Sequence, residues 1–155
     1  MHQNAMTDAV HRLSHDHADL NARVLLAGTG VRALDGAEAR MQELASQLRE
    51  LRERLFLHFA REEEGLFPFV ADTIPALAEQ VTAMAIAHDT ICGALARMCH
   101  LTSANHPVTT LTALFDRFEA SYIEHARAEA ALLGELDQRL DATQRRQLAE
   151  LVAGL

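Results

Sequence analysis

A chain of 155 residues, 49% of them apolar, can bury one sizeable core and is short for two, so a single domain over residues 1–155 is expected. Its 22 acidic against 14 basic residues leave a formal net charge of −8 with no Lys/Arg-rich run, which excludes nucleic acid as an expected partner. No leader-type apolar region opens the chain and no apolar span nears ~20 residues, so no membrane association and a cytoplasmic location are expected.

Proline occurs only at 68, 75 and 107, β-branched clusters are scarce, and Ala, Leu, Glu and Arg dominate, which predicts an all-α chain. Breaks are expected at "GTG" (28–30) or "LDG" (34–36), at "DTIP" (72–75), at "SANHP" (103–107) and at "LDAT" (140–143), where Asp141 can cap a last helix. Short links between long amphipathic helices predict an antiparallel up-down-up-down four-helix bundle with a short C-terminal fifth helix.

Each long helix carries an apolar stripe that a histidine interrupts. The first reads Val10, Leu13, His17, Leu20, Val24. The second, "LFLHFAREEEGLFPFV" (55–70), reads Leu55, His58, Glu62, Leu66, Phe69. The third reads Leu77, Val81, Met84, His88, Ile91, Leu95, and the fourth Leu111, Phe118, Tyr122, His125, Glu129, Leu132, Leu136. A spacing of three and four residues is one face of a helix, so all four histidines and both glutamates point into the bundle. Burying imidazoles and carboxylates unpaired is costly, so they must meet partners there.

Depth along the bundle allows a meeting. His58 and His88 each lie 14 residues from the 72–74 turn, and His88 and His125 are nearly level about the third turn. His17 and His58 match if the first helix runs to about Leu34. A faint internal repeat, His17 to His88 and His58 to His125, suggests two helix pairs about a pseudo-twofold axis, each giving one set of ligands.

His58-x3-Glu62 recurs as His125-x3-Glu129, and this spacing projects both side chains from one helix face. With His17 and His88, four imidazoles and two carboxylates converge. A single tetrahedral zinc would use only four ligands, so six fit two metal ions better, with each carboxylate able to bridge them. Imidazole with carboxylate suits iron, manganese or zinc.

The ordered segments "DHADL" (16–20), "HFAREEEGLFP" (58–68), "AHDTI" (87–91) and "EHARAEAALL" (124–133) resemble those of the hemerythrin-like, HHE cation-binding domains. The resemblance implies Glu62 and Glu129 bridging a non-haem di-iron centre (Fe2+/Fe3+, oxo- or hydroxo-bridged), with His17 and His58 on one iron and His88 and His125 on the other. It further implies a small diatomic ligand, O2 or NO, or peroxide. Oxygen-carrying members have a second histidine one turn away on the third helix, where this chain has Met84 and Cys92. The four-His, two-Glu set is similar to bacterial members associated with nitric oxide stress, iron-centre repair or peroxide handling. The alternatives are a di-iron enzyme that reduces NO or dismutates peroxide, and a metal-stabilised, iron-sensing interaction module.

Other residues near this face read more plainly. Tyr122, Cys92 and Met84 stand one turn from ligands and are candidates to support them, Tyr122 by donating a hydrogen bond towards the centre. Cys92 and Cys99 are about 10 Å apart on one helix, beyond disulfide reach. Glu63 and Glu64 fall off the His58 face and read as a solvated edge. His11 and His15 read as an exposed pair, and His2, His100 and His106 as terminal, surface and turn residues.

Overall fold

Helix-favouring composition and apolar stripes at a spacing of three and four produce helices throughout. The computed structural model describes the backbone of residues 4–104 and 107–153 and the side chains of residues 13, 16–104 and 107–152. Helix α1 spans Asn4–Arg32 and α2 spans Glu38–Arg61; α2 runs on through a π-helical turn, Glu62–Leu66, into α3, Phe67–Thr73. A single 3-10 turn, Pro75–Leu77, leads into α4, Ala78–Ser103, followed by α5, Val108–Arg139, and α6, Ala142–Ala153. Among the described residues there is no strand.

Neighbours in sequence pack as neighbours in space, α1 on α2, α2 on α4, α4 on α5, and α5 back on α1. That closed ring of antiparallel neighbours is the expected up-down-up-down bundle, with α2 and α3 forming one of its rods. The short α6 lies against α1 and the π-helical turn.

The turns fall where the sequence has its breakers. Of the two candidate first breaks, "LDG" makes the turn: Gly36 has φ +87, a left-handed conformation that favours glycine, and Asp35 Oδ1 accepts the Ala37 N–H at 3.0 Å. The "GTG" glycines lie inside α1, and there they permit close approach. A Cβ on Gly28 would stand 3.0 Å from the Phe115 ring on α5, and one on Gly30 would stand 2.9 Å from Gln47 Oε1 on α2. Pro75 ends α3, and Pro107 precedes the first residue of α5. Asp141 caps α6 by accepting the N–H groups of Thr143 and Gln144, while the Gln144 side chain accepts the Asp141 N–H at 3.0 Å, a reciprocal capping box.

The π-helical turn was not expected. The Glu62 carbonyl accepts the N–H of Phe67, five residues on. Pro68 explains why a wide turn forms at this point. It has no N–H for the Glu64 carbonyl, and its ring would crowd that carbonyl in a regular α-helix.

Two apolar layers fill the bundle. One, with Leu20, Leu55, Phe59, Ile91, Phe118 and Tyr122, occupies the half holding the α1–α2 and α4–α5 turns. The other, with Leu13, Leu66, Met84, Leu132, Leu148 and Val152, occupies the half that α6 covers. On α1, α4 and α5 the switch from one layer to the other falls at a histidine, and on the α2–α3 rod it falls at Glu62, between Phe59 and Leu66. Between the layers lies a polar stratum.

Candidate metal centre

The polar stratum is built from all four rods. α1 gives His17, α2 gives His58, the first residue of the π-helical turn is Glu62, α4 gives His88, and α5 gives His125 and Glu129. All are buried except His17, whose side chain is 23% exposed. The six expected side chains are therefore brought together. His17 is level with His58, their Nε2 atoms lying 3.1 Å apart.

Two overlapping groups of donor atoms result. His17, His58, Glu62 and Glu129 each offer one donor atom within 4.8 Å of the others, and so do Glu62, His88 and His125. Glu62 Oε1 lies 2.8 Å from His58 Nε2, while its Oε2 lies 2.9 Å from His88 Nε2. Glu129 repeats the division, with Oε1 2.7 Å from His17 Nε2 and Oε2 3.5 Å from His125 Nε2. Within one half His88 Nε2 lies 3.2 Å from His125 Nε2, as His17 Nε2 lies 3.1 Å from His58 Nε2 within the other.

These contacts do not satisfy the groups that make them. Both oxygens of Glu62 and Oε1 of Glu129 are buried without a hydrogen-bond partner, because the imidazole nitrogens stand close but outside hydrogen-bonding geometry. Orphaned buried acceptors are rare and costly. Carboxylate oxygens and imidazole nitrogens converging in this way fit a divalent cation with mixed N and O ligands, such as iron, manganese or zinc.

Electrostatics point the same way. Burial alone would push the His58 imidazole down, but the Glu129 and Glu62 carboxylates outweigh it and lift it to about 10. His88 is pushed down to about 3 by burial, reinforced by His125. Burial and the neighbouring Glu129 hold the Glu62 carboxyl well above its usual range. Burial would raise Glu129 as well, yet Glu62 and the surrounding histidines hold it well below. At neutral pH His58, lifted to about 10, keeps a proton that an incoming cation must displace.

A family model, the Hemerythrin HHE cation binding domain, matches residues 8–136, which include all six of these side chains. The chain belongs to that family. Searches among curated proteins and among solved structures returned no significant match. As a hemerythrin HHE domain the chain is a metal-binding domain, and the family implies a metal cofactor, usually iron.

Around the six ligand-type side chains the hemerythrin domain holds contacts that periodicity did not predict. Glu63 and Glu64 are exposed, as expected of a solvated edge, but Glu63 also turns Oε1 to within 2.7 Å of His88 Nδ1, a contact that expectation lacked. It follows directly on Glu62, where the wide turn begins. Phe59 stacks flat on His88 at 3.7 Å between ring centroids and meets His125 edge-on, and Phe67 stacks on the His88 ring at 5.4 Å. Asp16 lies 3.9 Å from His58 Nδ1 and takes the Arg61 guanidinium at 3.2 Å.

Of the three residues expected to support the ligands, Tyr122 is turned away. Its hydroxyl donates to Asn21 Oδ1 on α1 at 2.7 Å. Met84 is buried in the apolar layer beyond His88. Cys92 and Cys99 are free thiols; burial, with Glu63 and Asp89 adding to it, pushes Cys92 up to about 11, and such a thiol is inert. His100 is exposed, His2 and His106 lie outside the described residues, and His11 and His15 lie outside the described side chains.

Proposed function

We propose that the chain is a non-haem di-iron protein that binds or senses O2, NO or peroxide through His17, His58, Glu62, His88, His125 and Glu129. The observation that carries this reading is that each of the two carboxylates turns one oxygen to each half of the site, His17 and His58 on one side, His88 and His125 on the other. Two carboxylates so divided suit a bridged pair of cations, and a pair of irons supplies open coordination positions together with the electrons needed to reduce a small ligand.

The chain's own residues set the conditions for such a ligand. Phe59 and Phe67 wall the His88 ring with apolar surface and keep water from it. Between α4 and α5 a groove of about 370 Å³, with Gln80, Thr90 and Glu124 among its lining and Ala83, Ala87 and Ala128 leaving room, reaches His125. Its small side chains leave a path for a small neutral molecule. On the opposite side a polar recess of about 60 Å³, lined by Asp16, Arg54, Arg61 and His58, suits ions.

Visible spectra of the anaerobic ferrous protein, taken before and after O2, NO or H2O2 is added, test this reading. A new spectrum at stoichiometric ligand without turnover supports binding or sensing. Sustained consumption of NO or peroxide identifies an enzyme instead. No spectral response to any of the three leaves a metal-stabilised, iron-sensing interaction module.

A further inference from the structure

The two halves of the site share both carboxylates and have two histidines each, yet their surroundings differ. On one side His88 Nδ1 meets Glu63 Oε1 at 2.7 Å, a full hydrogen-bond contact. His58 Nδ1 on the other side is buried without a hydrogen-bond partner, as is His125 Nδ1 beside His88, so His88 alone of these three buried imidazoles has its outer nitrogen held; the carboxylate nearest His58, Asp16, stands at 3.9 Å and is engaged by Arg61. His88 is closed in by Phe59 and Phe67 and is 2% exposed, whereas the His17 side chain is 23% exposed. A metal-ligating imidazole that donates its other N–H to a carboxylate is fixed in tautomer and ring orientation and is the more basic ligand.

We propose that Glu63 is a positioning residue of the metal centre: by accepting the Nδ1 proton of His88 it turns a bare Nε2 towards Glu62 and His125, making the His88–His125 position the tighter of the two. The inference rests on the two-metal reading above. Glu63 touches no cation itself and acts through His88. It reaches the ring because the π-helical turn begins one residue earlier, at Glu62, so adjacent glutamates serve inner and outer roles. The charge matters as well as the hydrogen bond, since a carboxylate stabilises positive charge passed to the imidazole more than an amide does.

Ferrous iron titrated anaerobically against a competing chelator, in the full chain, tests the inference. Wild type should take two irons with two resolved affinities. Glu63→Ala should weaken the tighter step by roughly 10–100-fold and leave the other nearly unchanged, with Glu63→Gln in between. Glu64→Ala, the next residue of the same turn, should match wild type. In iron-free protein, imidazole 15N spectra should place the His88 proton on Nδ1 in wild type and distribute it between the nitrogens in Glu63→Ala. Two irons in wild type with neither step weakened in Glu63→Ala would overturn this inference alone, as would equal weakening of both steps. Fewer than two irons in wild type would overturn the two-metal reading and this inference with it.

Discussion

Glu62 and Glu129 carry the central geometry because each faces both halves of the stratum with separate oxygens. Replacing either with alanine removes a shared ligand without touching the histidines. Glu62→Ala and Glu129→Ala should each drop bound iron from about two to one or fewer per chain, while Glu124→Ala, exposed on the same helix as Glu129, should leave it unchanged. Iron analysis of desalted protein checks this. At this scale all six ligand-type residues could be read from the sequence, because a polar side chain in an apolar stripe must be paired. Their outer partners could not. Glu63, Asp16 and Asn21 lie off the stripes, and nothing in periodicity tells a carboxylate that holds an imidazole from one that faces water.

Among the elements, the helices, their order and their turns follow from composition, stripes and breakers, and Asp141 caps α6 as its position predicts. The π-helical turn does not follow from the stripe, since Leu55, His58, Glu62, Leu66 and Phe69 fit a regular helix equally well. Pro68 is the local signal for it, five residues after Glu63, whose contact with His88 periodicity does not predict. The same scale governs access. α4 and α5 leave a groove to His125 because Ala83, Ala87 and Ala128 are small. Filling it with Ala87→Phe should slow the approach of NO to the ferrous protein by about tenfold or more, as a steric barrier of ~1.4 kcal/mol would do, with iron content unchanged. Stopped-flow mixing measures this, and an unaltered rate would place the approach elsewhere.

Across the whole molecule, two apolar layers enclose a stratum of buried imidazoles and carboxylates, and that sets how stability responds to pH. In iron-free protein His88, pushed down to about 3, costs stability as pH falls below 6.5, because the unfolded chain takes that proton first. Glu129, held below its usual value, adds to that loss below 4.5. His58, lifted to about 10, contributes stability that is complete below 6.5 and lost as pH rises through 10. Glu62, held high, loses stability as pH rises above 4.5 and so offsets the gain from His88 between 4.5 and 6.5. Iron-free protein should therefore melt highest on a plateau between 4.5 and 6.5 and lower on either side. Iron reverses the alkaline slope, since its ligands must be deprotonated, so the gap in melting temperature between loaded and iron-free protein should widen from about pH 6 to about pH 9. The most direct test of the whole account is the iron content of protein reconstituted anaerobically with excess ferrous iron and then desalted. Two irons per chain, lost together with the loaded protein's extra melting temperature on chelation, are the predicted result. One iron or fewer per fully loaded chain, or equal melting temperatures with and without iron at matched pH, would contradict a six-ligand centre shared by two cations.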